Sequence, residues 1–104
     1  MALTQEQRNR AIQITIDEVN GACPVLCGVM DSSTRRVIDN LKALEDMGGT
    51  AGVITPVFYA RHATQYETVR HFEEIAKHTN MDLLIYNIPM FTGQKLTAET
   101  VFEI

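Results

Sequence analysis

The chain has 104 residues, 45% of them hydrophobic and 21% charged, with a formal net charge of −4. That balance is ordinary for a folded globular chain and weighs against a nucleic-acid partner, since no basic stripe is present. The polar N-terminus reads as helix rather than signal peptide, and no apolar run approaches the ~20 residues needed to span a bilayer, so no membrane partner is expected and a cytoplasmic location is the default.

A first helix starts at Thr4, where Thr4 and Gln7 stand at capping-box spacing. Its apolar stripe is Ile12, Ile16 and Val19, and it ends at Asn20-Gly21. A strand follows from Pro24 to about Val29, with Cys23 and Cys27 flanking its start at a spacing that suits neither a bridge nor a zinc site. Asp31-Ser32-Ser33 announces a second helix, with Val37, Leu41 and Leu44 at helical spacing and Gly48-Gly49 closing it. The second strand runs through Ala51, Gly52, Val53, Ile54 and Thr55, and Pro56 ends it. A third helix carries a capping box at Thr64 and Glu67, with Val69, Phe72, Ile75 and Ala76 expected to face inward.

The run Leu83-Leu84-Ile85-Tyr86-Asn87-Ile88-Pro89 reads as a strand buried on both faces of a parallel sheet, stopped by a proline that cannot extend the ladder. Thr97 caps a fourth helix, which reaches only Val101, Phe102 and Ile104. Strands alternating with helices imply βαβ crossovers and a parallel sheet. Three such strands leave two open edges, and the chain opens on a helix and closes just inside another. The element count suits a slice of something larger.

In an α/β barrel, chemistry is done at the C-terminal ends of the strands. Tyr86 stands at such an end, where a phenol is either a strand residue with its hydroxyl satisfied or a proton-transfer group. His62, His71 and His78 do not suggest a metal: His71 and His78 are seven apart, no pair has i, i+4 spacing, and solvated or helix-terminal histidines are the plainer reading. Lys77 on a helix and Lys95 in a loop read as surface charges.

Three ordered motifs carry a resemblance: Pro24-Val25-Leu26-Cys27-Gly28-Val29 with Ser33-Thr34, then Ile54-Thr55-Pro56 with Phe58 and Tyr59, then Tyr86-Asn87-Ile88-Pro89 with Thr92-Gly93. Together they resemble the middle of the dihydrodipicolinate synthase and N-acetylneuraminate lyase family. The resemblance covers nearly the whole chain. It implies an α/β fold, a partial (β/α)8 TIM barrel of about three βα units from the second helix to the start of the fifth. Residues 1–104 would then be the central segment of one lyase domain, incomplete at both ends.

Family members are lyases that make or break carbon–carbon bonds with pyruvate or a related 2-keto acid. They form homo-oligomers, dimers or tetramers, and need no cofactor or metal. A lysine on the sixth strand forms a Schiff base, an electron sink for the neighbouring carbanion. By resemblance, Tyr86 is the tyrosine that shuttles protons beside the imine, helped by a second tyrosine from a neighbouring subunit. Counting from Pro56 puts Phe58 at that second place, with Tyr59 one residue later in a longer loop; both remain open.

Phe91 and Thr92 fall in the substrate pocket by the same carry-over, although Asn87 and Thr92 are also residues that set turns through side-chain bonds to backbone. Where dihydrodipicolinate synthases carry an arginine for a substrate carboxylate, this chain has Phe91. That points toward an N-acetylneuraminate lyase-like or sugar-acid aldolase. Without the lysine, this chain alone is expected to be inactive. A different reading also stands, a truncated, non-catalytic remnant that oligomerises or binds.

Overall fold

The computed structural model describes residues 3–104. Its elements are α1 (Gln5–Val19), β1 (Leu26–Gly28), α2 (Thr34–Asp46), β2 (Ala51–Ile54), α3 (Gln65–Ala76), β3 (Asp82–Ile85), α4 (Pro89–Thr92) and α5 (Ala98–Glu103). The strands form one parallel sheet in the order β1-β2-β3, with Gly28 opposite Val53 and Val53 opposite Leu84. Each neighbouring pair is joined through an intervening helix, as parallel strands require.

The helices begin where the local chemistry places them. Thr4 and Gln7 form a complete capping box, and Thr64 and Glu67 form another. Each satisfies amide N–H groups that the first turn of a helix leaves without partners. Asn20 ends α1 in the left-handed region, and Gly48, at φ +82°, follows α2. One element was not foreseen: α4, the single turn that Pro89 starts at a position where its missing N–H costs nothing.

All the helix cover lies on one face of the sheet. A Cβ placed on Gly52 would meet Leu41 of α2, Val29 and Leu83. That face therefore carries Cys27, Val29, Gly52, Ile54, Leu83 and Ile85, packed with Val37, Leu41, Leu44, Phe72 and Ile75. Leu41, Leu44, Ile54 and Ile75 are fully buried, and each contributes about 1.5–3 kcal/mol relative to an exposed side chain. Alternation then puts Leu26, Gly28, Val53, Leu84 and Tyr86 on the opposite face.

Three expectations are corrected by this packing. The tyrosine strand is not buried on both faces: Leu84 is 38% and Tyr86 46% exposed, because among the described residues no helix packs on their side of the sheet. Regular pairing also stops at Ile85, although the Tyr86 amide still donates to Ile54 O at 2.7 Å. Ala76 is exposed at the end of α3 rather than inward. The stripe of α1 is only half-buried, Ile12 and Ile16 resting on the edge of the core. No described helix is long and apolar enough to cross a membrane.

Candidate functional site

The C-terminal ends of the three strands point the same way in a parallel sheet, so the segments after Gly28, Ile54 and Ile85 gather at one end. Tyr86 leads the third. Its backbone bond to Ile54 O sets it in register with Thr55, so the two residues are neighbours across β2 and β3. Tyr86 lies on the face without helices, and its hydroxyl makes no hydrogen bond among the described residues. Thr55 is 2% exposed, and its Oγ1 has no partner among the described residues either.

His71 fixes the end of β2 from the helix side. Its Nε2 lies 3.2 Å from Thr55 O, which can only accept, so the proton is on Nε2. Nδ1 then accepts from the Thr34 hydroxyl at 2.9 Å. The ring is 2% exposed and stands edge-on to His62 at 5.5 Å. Burial holds its pKa down to about 4, despite the Thr55 carbonyl that favours the charged ring; His62 lowers it further. The expectation of a solvated or helix-terminal histidine therefore fails for His71, which instead ties α3 to β2 and to the first turn of α2. The signal was present in the sequence, since His71 falls on the buried stripe with Thr68, Phe72 and Ile75. His78 does sit at the end of α3, its ring bonded to Glu74 O.

Asp31, in the segment that follows β1, is another buried polar group. It accepts from the Ser32 amide at 2.7 Å and pairs with Arg36 Nε at 2.8 Å. Burial pushes its carboxyl up, but the Ser32 amide and Arg36 together outweigh that and hold it below the usual carboxylate range. The sequence marked Asp31 as part of a helix start, whereas Ser33 is the cap and Asp31 is committed to Arg36.

The two loops that carry the remaining candidate residues are fastened together. Arg61 Nη1 donates to Gly93 O at 3.2 Å, and Gln94 Nε2 donates to His62 O at 2.9 Å. Gly93 has φ +69°, and a Cβ there would also press on Arg61 at 3.0 Å. Tyr59 adopts φ +71° with 97% of its surface exposed. A left-handed tyrosine costs about 1–2 kcal/mol, here without any burial of the ring in return. Phe58, the other candidate for the second relay place, is half-buried.

Thr92 is 4% exposed, and its hydroxyl is engaged by the backbone: it lies 3.2 Å from Ile88 O and 3.0 Å from Gln94 O, and accepts from the Gln94 amide. Phe91, its neighbour, is 75% exposed. The structure thus leaves the Tyr86, Tyr59 and Phe91 rings accessible and ties Thr92 into its loop. Lys42 on α2, Lys77 at the cap of α3 and Lys95 in the loop are all exposed, and none is on a strand. Among the described residues no three His, Cys, Asp or Glu side chains group as a metal site.

Comparison with known proteins gives one answer. Residues 1–104 match the family described as the dihydrodipicolinate synthetase family. A 4-hydroxy-tetrahydrodipicolinate synthase from Phocaeicola vulgatus is 35% identical over 102 residues, covering 98% of this chain and 34% of that protein. The chloride-inhibited dihydrodipicolinate synthase from Acinetobacter baumannii, solved in complex with pyruvate, superposes with a TM-score of 0.90 at 30% identity, over 95% of this chain and 34% of that one. A prophage protein of the dihydrodipicolinic acid synthase family from E. coli K12, also in complex with pyruvate, gives 0.88 at 28% identity, over 95% and 33%. The chain spans about a third of the length of these relatives. Its fold is part of a (β/α)8 barrel, as the resemblance implied.

Proposed function

The chain belongs to the dihydrodipicolinate synthetase family, whose members are lyases, and from that premise we propose that it forms the central segment of a barrel that acts on pyruvate or a related 2-keto acid through a Schiff base. In this reading a lysine on a further strand attacks the keto carbonyl, water leaves, and a protonated imine results. The imine accepts the electron pair when the adjacent carbon loses a proton, and the resulting enamine adds to an aldehyde carbon. The reverse sequence cleaves the same bond.

Tyr86 is the group of this chain that moves the proton to and from substrate oxygen. The observation that carries this role is its position: an accessible phenol at the C-terminal end of a strand, on the sheet face without helices, with a hydroxyl free for another partner. Tyr59 serves the relay from a neighbouring copy. Its strained, fully exposed placement supports a contact outside its own chain. Phe91 borders the second substrate. An apolar side chain there favours a substrate without a carboxylate at that point. The relatives are named 4-hydroxy-tetrahydrodipicolinate synthases and give no support to an N-acetylneuraminate lyase-like preference.

The test is borohydride reduction in the presence of pyruvate, followed by intact mass, on this chain and on a longer protein that contains it with the following strands. A pyruvate adduct on the longer protein and none on this chain is the expected result. An adduct on neither overturns the Schiff-base reading and favours the binding remnant.

A further inference from the structure

Asn87 follows Tyr86 directly, and its carboxamide makes two bonds to one residue nine positions on. Nδ2 donates to Leu96 O at 3.0 Å, and Oδ1 accepts from Leu96 N at 3.2 Å. Leu96 is 4% exposed and belongs to the core cluster, so the far end of the clamp is fixed. Between these two points the chain makes the turn α4. Thr92 holds its inside through Ile88 and Gln94, and Gly93 ends it in the left-handed region. Yet the residues at its crest, Met90 and Phe91, are 83% and 75% exposed. A loop tied at its neck and its interior, with apolar side chains left outside, holds those side chains for contact with something else.

We infer that Asn87 is a positioning residue: by pairing with both backbone groups of Leu96 it closes the loop at 88–95 and sets Phe91 against the second substrate. The part that concerns substrate rests on the lyase reading, whereas the clamp itself does not. Asparagine suits the task because it presents one donor and one acceptor side by side, matching a backbone carbonyl and amide. Aspartate has the same shape but would turn a carboxylate oxygen onto Leu96 O.

Two measurements separate the clamp from the activity. On this chain, amide hydrogen exchange is compared for the unaltered protein, Asn87→Ala and Asn87→Asp. Both variants should speed exchange at 88–96 by about tenfold or more while β1 and β2 stay as protected as before. Unchanged exchange in that segment, or an Asn87→Asp variant as protected as the original, overturns the clamp whatever the protein catalyses.

On the longer protein, Asn87→Ala should raise the KM for the aldehyde about tenfold and leave the pyruvate adduct undiminished. In a Phe91→Ala background it should have little further effect on kcat/KM, since both changes remove the same contact. Independent, additive losses overturn the link to Phe91. Failure of the unaltered longer protein to form any pyruvate adduct defeats the lyase reading, and the substrate part of this inference with it.

Discussion

Gly52 of β2 lies directly beneath Leu41 of α2: a methyl group added to Gly52 would stand 2.8 Å from Leu41 Cδ2, inside van der Waals contact. Leu41 is 1% exposed, so its methyl group can give way only by repacking the core around it. The missing side chain is what lets α2 approach the sheet.

Gly52→Ala should therefore destabilise the chain by about 1–3 kcal/mol, the usual cost of forcing an extra carbon into a packed core. Urea denaturation at neutral pH reads this as a lower midpoint with an unchanged slope. A midpoint at or above the original would show that α2 can shift without loss.

The pH dependence of stability should carry the signature of His71. Its folded pKa of about 4 lies below the ordinary value of 6.5, so between those two values the unfolded chain binds the extra proton and the folded chain does not. Stability is then complete above pH 6.5 and declines as the pH falls toward 4, by about 3 kcal/mol at most. The buried Asp31 adds its own loss at lower pH, because its carboxyl titrates below the usual range in the folded chain. Replacing the imidazole, His71→Gln, should flatten the decline between pH 6.5 and 4 in a series of denaturant melts.

Thr64 and Glu67 should behave as one unit. Glu67 Oε2 accepts from the amides of Thr64 and Ala63 at 3.0 and 2.8 Å, while Thr64 Oγ1 accepts from the Glu67 amide. Thr64→Ala should cost about 1 kcal/mol, and the double change with Glu67→Ala less than the two single losses added. Thermal or urea melts of the four proteins complete the cycle. Strict additivity would mean that the two halves of the box are independent.

Tyr86→Phe should separate stability from chemistry. The phenol oxygen has no hydrogen bond within the described residues and the ring is half exposed, so stability should change by less than about 0.5 kcal/mol. In the longer protein the same change should lower kcat by about 10²–10⁴-fold, the usual contribution of a positioned acid–base group. A variant with full turnover would remove Tyr86 from the proton path.

Much of the architecture was legible because its causes are local. Capping boxes at Thr4 and Thr64, the glycines after α2 and the prolines after the strands act within a few residues of where they stand. The short turn at Pro89 is ambiguous in the sequence, because a proline that ends a strand is equally at home at the start of a helix. His71 was readable in principle from its place on the apolar stripe, but its residue type argued for solvent.

The sequence by itself determined the elements other than α4, their parallel alternation and the family, since periodicity, caps and ordered motifs are properties of neighbouring residues. Tertiary structure alone decided which side chains those elements bring together. His71 meets Thr34 across 37 positions, Arg61 meets Gly93 across 32, and Asn87 closes on Leu96 across nine. It also decided that Leu84 and Tyr86 are half exposed on a strand composed for burial. The physical reason is the same in each case. A hydrogen bond between distant loops, or the cover on one face of a sheet, depends on how whole elements pack, and no local pattern of residues encodes it.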